Sequence, residues 1–177
     1  MQSSMKFRSN FPRRNERSLK DPVTIDGRFV LRGSVDLIER SADGNMLRVT
    51  DHKTGKNRSN RDLIIGGGGV LQPVLYSAAV EQGLGRKVAA GRLYYCTTAG
   101  GFAEHAMPIN DYARTQGLHA LEIIDRAVEQ GFLVAAPQAR ACTWCDFKPV
   151  CGPREEERVK HKAVDKLADL EALRGMR

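Results

Sequence analysis

The chain has 177 residues, 41% of them hydrophobic, which suits one domain with a sizeable buried core. Its 28 Lys and Arg against 21 Asp and Glu give a formal net charge of +7, favouring a polyanionic partner, nucleic acid before an acidic membrane surface. No apolar run reaches the roughly 18 residues a membrane span needs and no signal-peptide core follows the start, so a cytoplasmic chain with no membrane partner is expected.

Residues 1–20, "MQSSMKFRSNFPRRNERSLK", hold six basic residues and one acid among few apolar anchors. They read as a loosely ordered basic arm, or equally as a solvated tail or truncation remnant. "RFVLRGSVDLIER" (28–40) and "MLRVTDHKT" (46–54) are β-rich runs on either side of "SADGN". Asp-Gly between two such runs predicts a hairpin. A polar, glycine-rich loop (55–69) follows, then "VLQPVLYSAAVEQGLG" (70–85), read as a helix that tolerates Pro73 in its first turn and ends at Gly83.

"KVAAGRLYYCTT" and "FAEHAMPI" predict a second hairpin around Gly100-Gly101. Residues 111–131 read as a helix with Leu118, Leu121, Ile124 and Val128 on one stripe. An irregular segment with three cysteines precedes a charged C-terminal helix, where Val159, Ala163, Leu167 and Leu170 recur at helical spacing. The layout predicts a mixed α/β domain whose central strands are joined by hairpins.

A two-residue type I′ turn at Asp43-Gly44 sets Asp36 directly opposite Asp51. Opposed Cβ atoms lie about 4.5–5.5 Å apart, so two like charges there call for compensation. A divalent cation between the carboxylates is one answer; exposed strand-end carboxylates screened by Lys53 are the other. Lys53, two residues past Asp51, shares its face. Such oxygen ligands suit Mg²⁺, which acidifies a bound water and polarises a phosphodiester while an ammonium steadies the developing charge. Gln72 and Tyr76, four apart on the following helix, present one face together. They could orient a phosphate or a water, or be a packed Tyr beside a surface Gln.

"CTWCDFKPVC" spaces Cys142, Cys145 and Cys151 as C-x2-C-x5-C, a pattern that points to a metal centre. Zinc would want a fourth Cys or His, and an iron-sulfur cluster a fourth thiolate. Cys96, inside a strand, reads as a small core residue, and His161 is the alternative for zinc.

Together these residues resemble the RecB-like nucleases of the PD-(D/E)XK superfamily, most closely the AddB type with an iron-sulfur staple. "GSVDLIE" is similar to the first metal-binding strand, with Asp36, and "VTDHKTGK" to the D-x-K strand, with Asp51 and Lys53. "LQPVLYS" is similar to the Q-x-x-x-Y helix, with Gln72 and Tyr76, and "CTWCDFKPVC" to the cluster cysteines. The resemblance covers residues 28–152. It implies a restriction-endonuclease-like core, a mixed central sheet flanked by helices. The activity it implies is a Mg²⁺-dependent DNA nuclease, usually an exonuclease, fused to or paired with a helicase in double-strand-break repair. It further implies metal ligation by Asp36, Asp51 and the peptide carbonyl of His52. A 4Fe-4S cluster on Cys142, Cys145 and Cys151 completes it.

On this reading residues 21–152 form the nuclease domain with its cysteine staple and 153–177 a C-terminal helix, with DNA and not a small molecule as substrate. In such relatives an N-terminal helix supplies a further His or Glu ligand, and the first cluster cysteine lies upstream. Neither is found here, so the chain is expected to be the C-terminal part of a longer protein or to start too late. The Gly66–Gly69 run lacks the Lys-Ser/Thr of a phosphate-binding loop, so no helicase motor is expected within it. The alternative is a catalytically incomplete module that binds DNA or a helicase without cutting.

Overall fold

The computed structural model describes residues 7–8, 17–18, 22–59, 63–131 and 134–177. The expected basic arm lies outside the described residues except for two short strands. Strands β1 (Phe7–Arg8), β2 (Arg17–Ser18), β3 (Val23–Ile25), β4 (Phe29–Leu31), β5 (Ser34–Val35), β6 (Leu37–Ser41) and β7 (Leu47–Lys53) come first. Helix α1 (Gln72–Leu84), β8 (Val88–Tyr95), β9 (Glu104–Pro108) and α2 (Asp111–Glu129) follow. Helices α3 (Lys148–Cys151), α4 (Glu155–Arg158) and α5 (Val164–Gly175) come last. The chain divides into two compact units, residues 1–121 with 176–177, and residues 122–175.

The first unit is built on a five-stranded mixed sheet in the order β1-β6-β7-β8-β9. β6 and β7 pair antiparallel in the register Leu37–Thr50, Ile38–Val49, Glu39–Arg48 and Arg40–Leu47. That is the register the sequence implies, but the turn differs. Ser41 N donates to Met46 O (2.8 Å) and Gly44 N to Ser41 O (2.9 Å), so four residues make the loop. Gly44 has a positive φ and Asp43 does not, which rules out type I′. The Asp43 carboxylate instead accepts from Ser41 Oγ and the Asn45 backbone, closing a wider turn centred on the same pair.

β7 and β8 run parallel, against the expectation that hairpins join all the central strands. Parallel neighbours need a crossover, and α1 provides it. Pro73 sits at the first turn of α1, as expected, whereas the helix runs past Gly83 to Leu84 and stops on Gly85, φ 61°. Gly85 adopts the left-handed conformation that ends helices; Gly83 does not. The second hairpin, β8 with β9, forms as expected.

α1 presses on β8 so closely that a Cβ on Gly91 would lie 2.7 Å from both Pro73 Cβ and Pro73 O. Leu47, Val49, Val88 and Leu93 of the sheet and Val74 and Val80 of α1 are buried. Ile25, Phe29 and Leu121 form a second cluster, packed by Leu75 and Leu118. The glycine loop is tied to the chain's last residues by Ile65 N donating to Arg177 O (2.7 Å) and Gly67 N to Met176 O (2.9 Å).

The alternate face of the sheet carries charge. Glu39, 7% exposed, accepts from Arg48 Nε (2.7 Å), Arg92 (2.8 Å) and Thr50 Oγ1 (3.1 Å). Burial alone pushes the Glu39 carboxyl up, but Arg48, Arg92 and Thr50 together hold it below the usual carboxylate range.

In the second unit the C-terminal helix expected as one element is broken. α4 passes into a short 3-10 turn, and extended Lys162 (ψ 146°) separates it from α5. Lys162 is held there by the Glu155 carboxylate and the Ala135 carbonyl. Of the expected α2 stripe, Leu121 is buried and Val128 is 61% exposed. No described helix is long and apolar enough to cross a membrane.

Candidate active site

Three segments of the first unit meet at the C-terminal end of β7. Period-two alternation puts Leu47, Val49, Asp51 and Lys53 on the face turned to α1. Asp51 is thereby carried into the core, at 5% exposure. Lys53 Nζ lies 2.8 Å from Asp51 Oδ2 and donates to Gln72 Oε1. The Lys53–Asp51 approach satisfies charge but not hydrogen-bond direction. Asp51 Oδ2 is therefore a buried acceptor with no directed donor. The Lys53 ammonium is therefore the one partner seen for this oxygen among the described residues, and the oxygen keeps lone-pair capacity for a further ligand.

Asp36 follows Val35 and immediately precedes β6. Continuing the register one pair past Leu37–Thr50 sets it opposite Asp51. Its Oδ2 accepts the His52 backbone N–H at 2.7 Å and lies 3.7 Å from His52 Nδ1. The carboxylate thus caps the end of the β6–β7 ladder. The His52 ring is exposed and meets Tyr94 edge-on, 5.9 Å between centroids. Across the strand, Cys96 N donates to Lys53 O (3.0 Å), and the Cys96 thiol approaches the same oxygen at 3.5 Å. Gln72 opens α1, and half-buried Tyr76 follows one turn later on the same face.

Asp51, Lys53 and the Gln72 carboxamide oxygen therefore meet on one face of the strand end, while the Asp36 carboxylate at the same end is engaged with His52. The Asp51 oxygen, with no directed donor besides its ion pair with Lys53, fits a hard divalent cation, which is commonly held by one or two carboxylates with waters completing its shell. Among the described residues no group of three His, Cys, Asp or Glu side chains is arranged to hold a metal.

The cysteines belong to the second unit, where Cys142, Cys145 and Cys151 line one cavity of about 620 Å³ with Glu155 and Glu156. The Glu156 carboxylate accepts the backbone N–H groups of Arg140 (2.9 Å) and Cys142 (2.9 Å). Burial pushes the Cys142 thiol up, and the neighbouring Glu156 carboxylate adds to it. An iron-sulfur cluster is commonly held by four thiolates. The three thiols are not gathered into a ligand set, and Cys96 is engaged with Lys53 O. As arranged, these cysteines do not fit that cluster.

Sequence reasoning missed a set of polar residues beside Lys53. Tyr95, Asn57, Ser59 and His105 hydrogen-bond to one another around the loop that leaves β7. Their only signal was the density of small polar residues after the D-x-K strand, which equally describes any turn.

A family model described as the PD-(D/E)XK nuclease superfamily matches residues 3–152. No curated protein matches the chain significantly.

Proposed function

We propose, for a chain that belongs to the PD-(D/E)XK nuclease superfamily, that it hydrolyses DNA phosphodiester bonds with a divalent metal. Its finer role, on this reading, is the exonuclease part of a RecB/AddB-like repair or recombination protein that works beside a helicase. The observation that carries the proposal is the buried Asp51 oxygen without a directed donor, next to a lysine held by Gln72.

Asp36, Asp51 and the His52 carbonyl would hold Mg²⁺, which when bound supplies an acidified water and a polarised phosphodiester. Lys53 keeps its ammonium fixed, by Asp51 on one side and Gln72 on the other, where negative charge develops on the phosphoryl oxygens. Because Gln72 Oε1 is taken by Lys53, its amide N–H groups remain for a substrate oxygen. Tyr76 extends that face one turn along α1.

The direct test incubates labelled DNA with the protein and Mg²⁺, then with EDTA. The expected result is EDTA-sensitive degradation that Asp51→Ala or Lys53→Ala abolishes while the fold survives. Undiminished cleavage by either variant refutes the assignment. A second reading, a module that holds DNA or a helicase without cutting, is favoured by the lack of any three-ligand group among the described residues. Salt-sensitive retention of DNA with no product would establish it. Colour decides the separate question of the cysteines: broad visible absorption in anaerobically purified protein would indicate an iron-sulfur centre despite their arrangement.

A further inference from the structure

Residues 55–58, which leave β7 just after Lys53, are exposed, yet their loop is anchored to the sheet. The hydroxyl of Tyr95, 5% exposed, lies 2.9 Å from Ser59 Oγ and accepts from Arg58 N at 3.5 Å. Asn57 Oδ1 accepts from Ser59 N (3.0 Å) and lies 3.0 Å from His105 Nε2. The His105 ring in turn packs edge-on against Tyr95, 5.9 Å between centroids. Thr97 Oγ1 donates to Thr54 O (3.1 Å). Four contacts from β8, β9 and the turn between them hold a short surface loop, more than solvent exposure alone requires.

This loop forms one wall of a cavity of about 520 Å³, within the range that takes a ligand. Lys53, Lys56 and Arg58 line it together with Gly66 and Gly69, and no Asp or Glu is among its described lining residues. Neither Lys56 nor Arg58 has a carboxylate partner among the described residues. Lys56 and Arg58, beside a Lys53 already paired with Asp51, give this hollow two cations without a carboxylate partner among the described residues, an anion seat. Because Lys53 and Gln72 line it too, the seat is continuous with the candidate active site.

We propose that this cavity holds the backbone of the nucleic-acid strand next to the scissile bond, with Lys56 and Arg58 binding the neighbouring phosphates. Tyr95 is a positioning residue that fixes the loop through Arg58 N and Ser59. The strand's identity rests on the nuclease reading, and the test separates the two.

Binding of a dye-labelled oligothymidylate is followed by fluorescence anisotropy in EDTA, across a salt series. Each phosphate neutralised on a single strand contributes about 0.7 to the slope of log K against log salt. Lys56→Ser/Arg58→Ser is expected to weaken binding about tenfold at low salt and to lower the slope by about 1.4. Arg32→Ser/Arg86→Ser, which removes two exposed charges elsewhere, is expected to keep the wild-type slope. Should the first variant misfold, Lys56→Gln alone carries the test with a drop of about 0.7. Tyr95→Phe keeps both charges, so weaker binding at an unchanged slope identifies positioning.

An unchanged slope in the Lys56 and Arg58 variants overturns the seat, and so does an equal drop in the Arg32/Arg86 control. Wild-type protein that shows the expected slopes but never cleaves with Mg²⁺ sinks the nuclease reading and leaves the seat standing. Cleavage with no slope change does the reverse.

Discussion

On one face of β7, Arg48 and Thr50 join Arg92 in saturating the Glu39 carboxylate; on the other, Asp51 keeps an oxygen with no directed donor beside Lys53. Both carboxylates are almost fully buried, at 7% and 5% exposure. The difference is completeness. A buried charge surrounded by donors holds the sheet together, whereas one left short of donors costs stability unless something else fills the gap. Two strands, β7 and β8, supply the donors on the first face. On the second the helix offers only Gln72, whose oxygen is spent on the lysine.

The contrast is broken most sharply at the open face. Lys53→Met is expected to lower the rate of DNA cleavage by about 10²–10³, the size of losing one fixed electrostatic stabiliser, with the unfolding transition retained. Turnover kinetics beside a urea melt check it. At the closed face the order inverts. Glu39→Gln is expected to cost about 3 kcal/mol of stability by leaving Arg48 and Arg92 short of their acceptor.

The Glu39 carboxyl is held below its ordinary value, so its contribution is fully present above that ordinary value and lost as pH falls through the depressed one. Urea midpoints of wild type and Glu39→Gln should therefore converge in acid and stay apart at neutral pH.

A smaller effect sharpens the metal assignment without relying on activity. At Mg²⁺ about ten times its dissociation constant, wild type should gain about 1.4 kcal/mol, visible as a raised melting temperature. Asp51→Asn should show no such gain, while Glu39 variants keep it. Smallest is Gln72→Ala, expected to slow cleavage by roughly tenfold, about 1.4 kcal/mol, by releasing one side of the Lys53 clamp.

Much of the candidate site's placement was legible in the sequence because its spacing is local. Asp51 and Lys53 are two apart on one strand, and that spacing alone places them on one face. The β6–β7 register survived a wrong turn type, since a four-residue loop and a type I′ turn centred on Asp43-Gly44 share the same pairing. The dipeptide that does have positive φ at both residues is Asp26-Gly27, between β3 and β4. Asp-Gly states a preference that the flanking strands then select or refuse.

What stayed hidden depends on distant partners. The parallel pairing of β7 with β8 joins residues 42 apart in the chain, such as Thr50 with Arg92, and nothing local encodes it. The Glu39–Arg92 contact and the Tyr95–Ser59 tether come from the same pairing. The cysteines are the other case: a spacing that reads as a ligand set, in a segment where Glu156 holds the backbone N–H groups of Arg140 and Cys142.

Gly91 has no side chain, and the main chain of Pro73 rests directly against it. The distance from the start of α1 to the sheet is consequently a backbone-to-backbone spacing, with no rotamer in between to relax. Substitutions elsewhere in the hydrophobic interior can drift while Gln72 stays at a constant reach from Lys53. The gap between Gln72 and Lys53 inherits the rigidity of the peptide skeleton, and the surrounding residues are free to vary without resetting it.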